Sequence, residues 1–90
     1  MDTRRAQIRK SIRQVFLEDW DPIGVCGVPE AEDEYDGYID VTYYLLLARA
    51  TEEEIMSSLY RIEKEWMQLH PDLERLRRAA KRLREIDLSL

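Results

Sequence analysis

The sequence predicts an all-α fold: a small, largely antiparallel four-helix domain with a long loop between the first two helices. Three observations carry that prediction. Its 90 residues include only three glycines and three prolines, too few for the many tight turns of a sheet-rich fold. Apolar residues recur at helical spacing over long stretches of the chain. The one stretch with strand character, residues 37–49, finds no partner except the short run from Ile23 to Val28.

The first helix is expected over residues 3–20, capped by Asp2 or Thr3, with Ile8, Ile12, Val15, Phe16 and Trp20 on one face. Arg5, Arg9 and Arg13 form an i, i+4 ridge beside that face, and cations near a helix start oppose its dipole. The ridge is therefore expected to meet carboxylates elsewhere. Pro22 ends the helix, because the residue before a proline is pushed out of the α region. Residues 21–35, with Gly24, Gly27 and Pro29, form a connection longer than the roughly 2–8 residues usual between bundled helices.

The second helix is expected over 36–49. Tyr38, Ile39, Val41, Tyr43 and Tyr44 favour strand, whereas Leu45, Leu46 and Leu47 favour helix. Without a second strand the segment reads as a helix that is apolar on most sides, hence centrally buried. The third helix, 51–69, opens on a Thr51–Glu54 capping box, and Ile55, Leu59, Ile62, Trp66 and Leu69 make one buried seam. The fourth, 71–86, has Pro71 in its first turn and Leu73, Leu76, Ala80 and Leu83 on its apolar face. On that helix Arg77, Lys81 and Arg84 flank the apolar stripe, and Arg75, Arg78 and Arg82 are expected to face water.

Charge is distributed unevenly. The net charge is −5, yet no Lys or Arg lies between Arg13 and Arg49, a window that holds Glu18, Asp19, Asp21, Glu30, Glu32, Asp33, Glu34, Asp36 and Asp40. Basic segments bracket it. Such polarity suits docking of the chain on itself, dimerisation or a basic partner. The longest apolar run, Tyr43 to Ala48, is far short of the roughly 20 residues that span a bilayer, so no membrane association is expected. One cysteine, Cys26, forms no internal disulfide, and the basic start lacks the apolar stretch of a secretory signal, so a cytoplasmic setting is expected.

No catalytic, cofactor-binding or metal-binding set is expected. Glu32, Glu34 and Asp36 resemble the alternate ligands of a calcium loop, but the closing position, which needs a bidentate Glu, holds Tyr43. The sole histidine, His70, precedes Pro71 at a helix boundary, and one histidine with one cysteine leaves a zinc site short of ordinary donors. No phosphate-cradling glycine loop is present. What remains is a surface for a partner. Trp20, Asp21, Glu32, Asp33, Glu34, Tyr35, Asp36 and Tyr38 combine aromatic anchors with acids, the composition that binds a basic protein, provided the aromatics are exposed. Buried, the same residues build a core and a turn: Trp20 closes the first helix, Asp21 accepts from backbone N–H groups after the reversal, and Tyr35 and Tyr38 face inward together.

Trp20-Asp21-Pro22-Ile23-Gly24-Val25, then Asp33-Glu34-Tyr35-Asp36-x-Tyr38 and Ile62-Glu63-x-Glu65, resembles a family of small uncharacterised bacterial proteins, a domain of unknown function, over roughly residues 8–69. The resemblance implies a helical cytosolic protein of bacterial origin and carries over no catalytic residue. Where such sequences tend to end a helix with Met-Gly-Leu, this chain has Met67-Gln68-Leu69, and the basic stretch after Pro71 is an addition. The expected function is a non-enzymatic protein-binding module, immunity or inhibitor-like. The alternatives are a self-associating structural protein (a homo-oligomer) and a weak nucleic-acid binder through the basic last helix, with nucleic acid disfavoured.

Overall fold

In the computed structural model, residues 3–89 are described, and the cap expected from Asp2 lies outside them. Four α-helices occur in order: α1 (Thr3–Val15), α2 (Ile39–Leu47), α3 (Glu52–Arg61) and α4 (Leu73–Arg84). Two of them run on into a single π turn, α1 through Phe16–Trp20 and α3 through Ile62–Trp66. Short 3₁₀ turns at Pro29–Ala31 and Asp36–Tyr38 punctuate the long connection. No strand forms among the described residues, so the segment 37–49 is helical.

The helices form a ring. α1 lies against α2 and α4, α4 packs most extensively on α3 and on the π turn of α1, and the ring is only lightly closed between α2 and α3. The α1 face is the expected one: Ile8, Ile12, Val15, Phe16 and Trp20 are all buried. The charged ridge beside it also finds carboxylates, Arg9 on Asp40 and Arg13 bidentate on Asp36, so the base-poor window docks on the chain's own first helix. Helix ends are satisfied as their residues dictate. Thr51 Oγ1 accepts from the Glu54 N–H at 3.1 Å while the Thr51 N–H donates to the Glu54 carboxylate at 2.8 Å, a complete capping box.

Four expectations are corrected. α2 is not central: Ile39, Thr42 and Leu46 are buried, but Val41, Tyr44 and Leu47 are 47%, 71% and 55% exposed. Only its α1 side is covered, because α3 stands off from it. Trp66, placed in the α3 seam by spacing, is 75% exposed. The cause is the π turn, in which the Met67 N–H donates to the Ile62 carbonyl five residues back. A π turn advances each residue by less than the α-helical 100°, which brings Glu63 inward and swings Trp66 off the stripe.

The fourth helix begins at Leu73 rather than at Pro71, because Asp72 caps it, its carboxylate accepting from the N–H groups of Glu74 and Arg75. Leu73 is 60% exposed, and the buried face is Leu76, Ala79, Ala80 and Leu83, which packs against α3. Of the arginines expected in water, Arg78 and Arg82 are exposed, Arg82 pairing with Glu18 and Asp19 at the surface, whereas Arg75 is half-buried and donates to the carbonyls of Trp20 and Asp21 at 3.3 Å each. Pairing with two carboxylates holds the Arg82 guanidinium above its ordinary pKa.

Candidate functional site

The residues expected to form a binding surface divide cleanly. Trp20 and Tyr35 are 0% and 1% exposed, and Tyr38 is half-buried. Rings of Phe16, Tyr35 and Tyr38 surround the Trp20 indole at centroid distances of 4.9, 5.3 and 6.0 Å. The indole N–H donates at 2.8 Å to Glu63, a carboxylate that is itself buried. Trp20 and Glu63 each sit in a π turn, and the hydrogen bond between them ties the end of the first helix to that of the third.

Asp21 organises the chain reversal. With φ +33° it leaves the helix, and its carboxylate accepts from the Val25 N–H at 2.7 Å, the Cys26 N–H at 3.1 Å and the Tyr35 hydroxyl at 2.8 Å. The Tyr35 oxygen in turn accepts from the Ile23 N–H at 3.1 Å. Burial pushes the Tyr35 phenol well above its ordinary pKa, and the Asp21 carboxylate beside it acts in the same direction. Among the described residues no buried side-chain nitrogen or oxygen is left without a hydrogen-bond partner. Its chemistry is that of a structural joint.

Asp36 is half-buried and held by Arg13, whose pKa that pairing raises. Glu32, Asp33 and Glu34 remain exposed, together with Glu30. Among the described residues no group of three or more His, Cys, Asp or Glu side chains is placed to hold a metal ion, and Cys26 and His70 both lie on the surface.

The accessible feature lies elsewhere, in the gap between α2 and α3. A groove of about 840 Å³ runs there, with Tyr38, Val41 and Leu45 on one wall and Ile62 and Trp66 on the other. Ser57 and Ser58 line it too, and Glu53, Glu54, Glu65 and Arg61 stand along its margin. Gly37 lines it as well, and the exposed acids Asp33 and Glu34 precede Gly37 closely in the chain. Tyr38 is the one expected anchor that lines the groove.

Val41, Leu45, Ile62 and Trp66 were not singled out as a surface by their spacing. One signal was available: a nine-residue helix that is apolar on most sides cannot be covered all round in a domain this small. For Trp66 no local signal existed, since the π turn that exposes it is not written in the apolar spacing. Among the described residues no helix is long and apolar enough to cross a membrane. Compared with known protein families, with curated proteins and with solved structures, the chain matches none.

Proposed function

We propose that the protein is a small, non-enzymatic binding module that engages another protein through the acid-margined groove between α2 and α3. The observation that carries this reading is Trp66, 75% exposed at the wall of an apolar groove. A tryptophan left in water beside Val41 and Leu45 forgoes the roughly 1.5–3 kcal/mol that burial of a large apolar side chain returns. Contiguous exposed apolar surface with a polar margin is the pattern of an interaction site, and buried aromatic anchors supply most of the affinity at such sites. The residues expected as a surface contribute charge rather than anchors: Glu32, Asp33 and Glu34 stay exposed and add to the negative charge that a basic partner meets, while Trp20, Asp21, Tyr35 and Asp36 hold the scaffold. The fitting role is that of an immunity or inhibitor-like factor for a basic protein in a bacterial cytoplasm.

Affinity capture from a lysate of the source cells tests this reading with the wild type beside Val41→Glu and Trp66→Ala, all with native circular dichroism. Proteins retained by the wild type and lost by both variants are expected. Capture of the same set by all three chains would sink the groove as the binding surface.

A further inference from the structure

Resting on that binding-module reading, we propose that the occupant of the α2–α3 groove is a basic amphipathic helix of the partner. It lies along α3 with apolar residues on Val41, Leu45, Ile62 and Trp66, and its Lys or Arg residues meet Glu53, Glu54 and Glu65. Length supports a helix. From Glu53 to Trp66 the α3 wall runs fourteen residues, about 20 Å at the helical rise, which matches three to four turns of an incoming helix.

Backbone chemistry points the same way. Both walls are helices whose amide and carbonyl groups are used internally, and no strand edge exists among the described residues. An extended segment laid here would leave its own N–H and C=O groups without partners against apolar walls. A helix satisfies them itself.

Charge selects the sign of the partner. Three glutamates and one arginine line the groove, and Arg61 and Glu65, 3.9 Å apart, offset one another, so Glu53 and Glu54 leave the lining net negative. A symmetric second copy would set these glutamates against their own equivalents, a like-charge contact that is repulsive. Nor does the basic α4 of a second copy supply a row of anchors, because Leu76, Ala79, Ala80 and Leu83 are already buried in its own core and Leu73 alone of its leucines is exposed.

The test is a titration of the full ¹⁵N-labelled chain with a designed amphipathic Leu/Lys helix of about 18 residues, long enough to fill the groove. Two comparison peptides keep its length: one has Glu for every Lys, and one is proline-rich. The two indole N–H signals, assigned with Trp66→Phe, report separately on the groove and on the interior. The Leu/Lys helix is expected to move the Trp66 signal and leave that of Trp20 in place. Trp66→Ala is expected to weaken binding by about 30-fold or more, the scale of a hot-spot anchor. Joint replacement E53Q, E54Q and E65Q is expected to remove most of the salt dependence while the capping box survives, because Gln serves in place of Glu54.

Equal binding of the Lys and Glu helices overturns the basic partner and leaves the binding-module reading standing. Preference for the proline-rich peptide overturns the helical occupant. A Trp66-dependent dimer in sedimentation overturns it in favour of a second copy. No effect of any peptide on Trp66 overturns the inference outright, and only groove-independent capture in the lysate experiment removes the broader reading with it.

Discussion

Trp20 and Trp66 occupy matching places in the chain and opposite places in the fold. Each is the last residue of a π turn that extends a longer helix, yet Trp20 is fully buried and Trp66 is 75% exposed. Around Trp20, several elements converge: the turn built on Asp21, Tyr35 and Tyr38 at the start of the second helix, Glu63 from the third, and Arg75 from the fourth. Around Trp66 only α2 stands opposite, and it stands off. The same residue in the same local device therefore becomes core or surface according to what the rest of the chain brings to it. One end of the molecule is a closed joint in which polar groups are matched, and the α2–α3 side is an open apolar trough.

The largest effects should separate these two regions. Trp20→Ala is expected to destabilise the fold by about 3–5 kcal/mol, the cost of truncating a buried aromatic. Trp66→Ala should stay within about 0.5 kcal/mol of the wild type. Urea denaturation followed by far-UV circular dichroism measures both, and comparable losses would erase the distinction. Within the joint, Asp21→Ala strands the Val25 and Cys26 amides and the Tyr35 hydroxyl, and about 2–3 kcal/mol should be lost.

Tyr35→Phe is milder, about 1–2 kcal/mol at neutral pH, since the ring stays and only the hydroxyl bonds go. It also carries a pH signature. The folded phenol titrates above the unfolded one, so its neutral form stabilises the fold fully below about pH 10 and the contribution is lost as pH rises beyond that. Stability measured from neutral to strongly alkaline pH should fall in the wild type above that point. The fall should be shallower in Tyr35→Phe, and identical alkaline limbs would contradict a buried, matched phenol.

Smaller gains are available at the helix ends. Arg49 and Gln68 have φ of +58° and +56°, the left-handed region that favours glycine. After α2 the Arg49 and Ala50 amides donate to the carbonyls of Leu46 and Leu45, and after the π turn of α3 the Leu69 amide donates to the Glu63 carbonyl. Arg49→Gly and Gln68→Gly should each raise stability by about 0.5–1 kcal/mol, read as an upward shift in the thermal midpoint. At Gln68 the backbone keeps the left-handed conformation that a glycine adopts without cost. Least of all, Arg82→Ala should cost about 0.5–1 kcal/mol at low salt and less at high salt, because its pairs with Glu18 and Asp19 are largely in contact with solvent.

Much of the closed joint was legible in the residues. The α1 face, the capping box, the Asp21 turn and the expectation that Arg9 and Arg13 meet carboxylates all follow from spacing and from unsatisfied donors, which are local facts. The basic stretch after Pro71 was legible as a helix, but Arg75 and Arg82 were expected to face water rather than to meet the end of the first helix. A helical wheel fixes which way Arg75 and Arg82 point relative to Leu76 and cannot say that the end of the first helix waits there. The open groove was hidden for a similar reason. The position of Trp66 depends on a π turn, and the exposure of Val41 depends on how far α3 stands from α2.

By itself, then, the amino-acid sequence determined the helical class, the four helices, the capping box of the third and the acidic window, because each depends on residues within a turn or two of one another. Only the tertiary structure decided which aromatic residues are buried, which charges are spent internally, and where apolar surface stays in water. Those outcomes depend on the distance between elements far apart in the chain, and helical periodicity does not encode that distance.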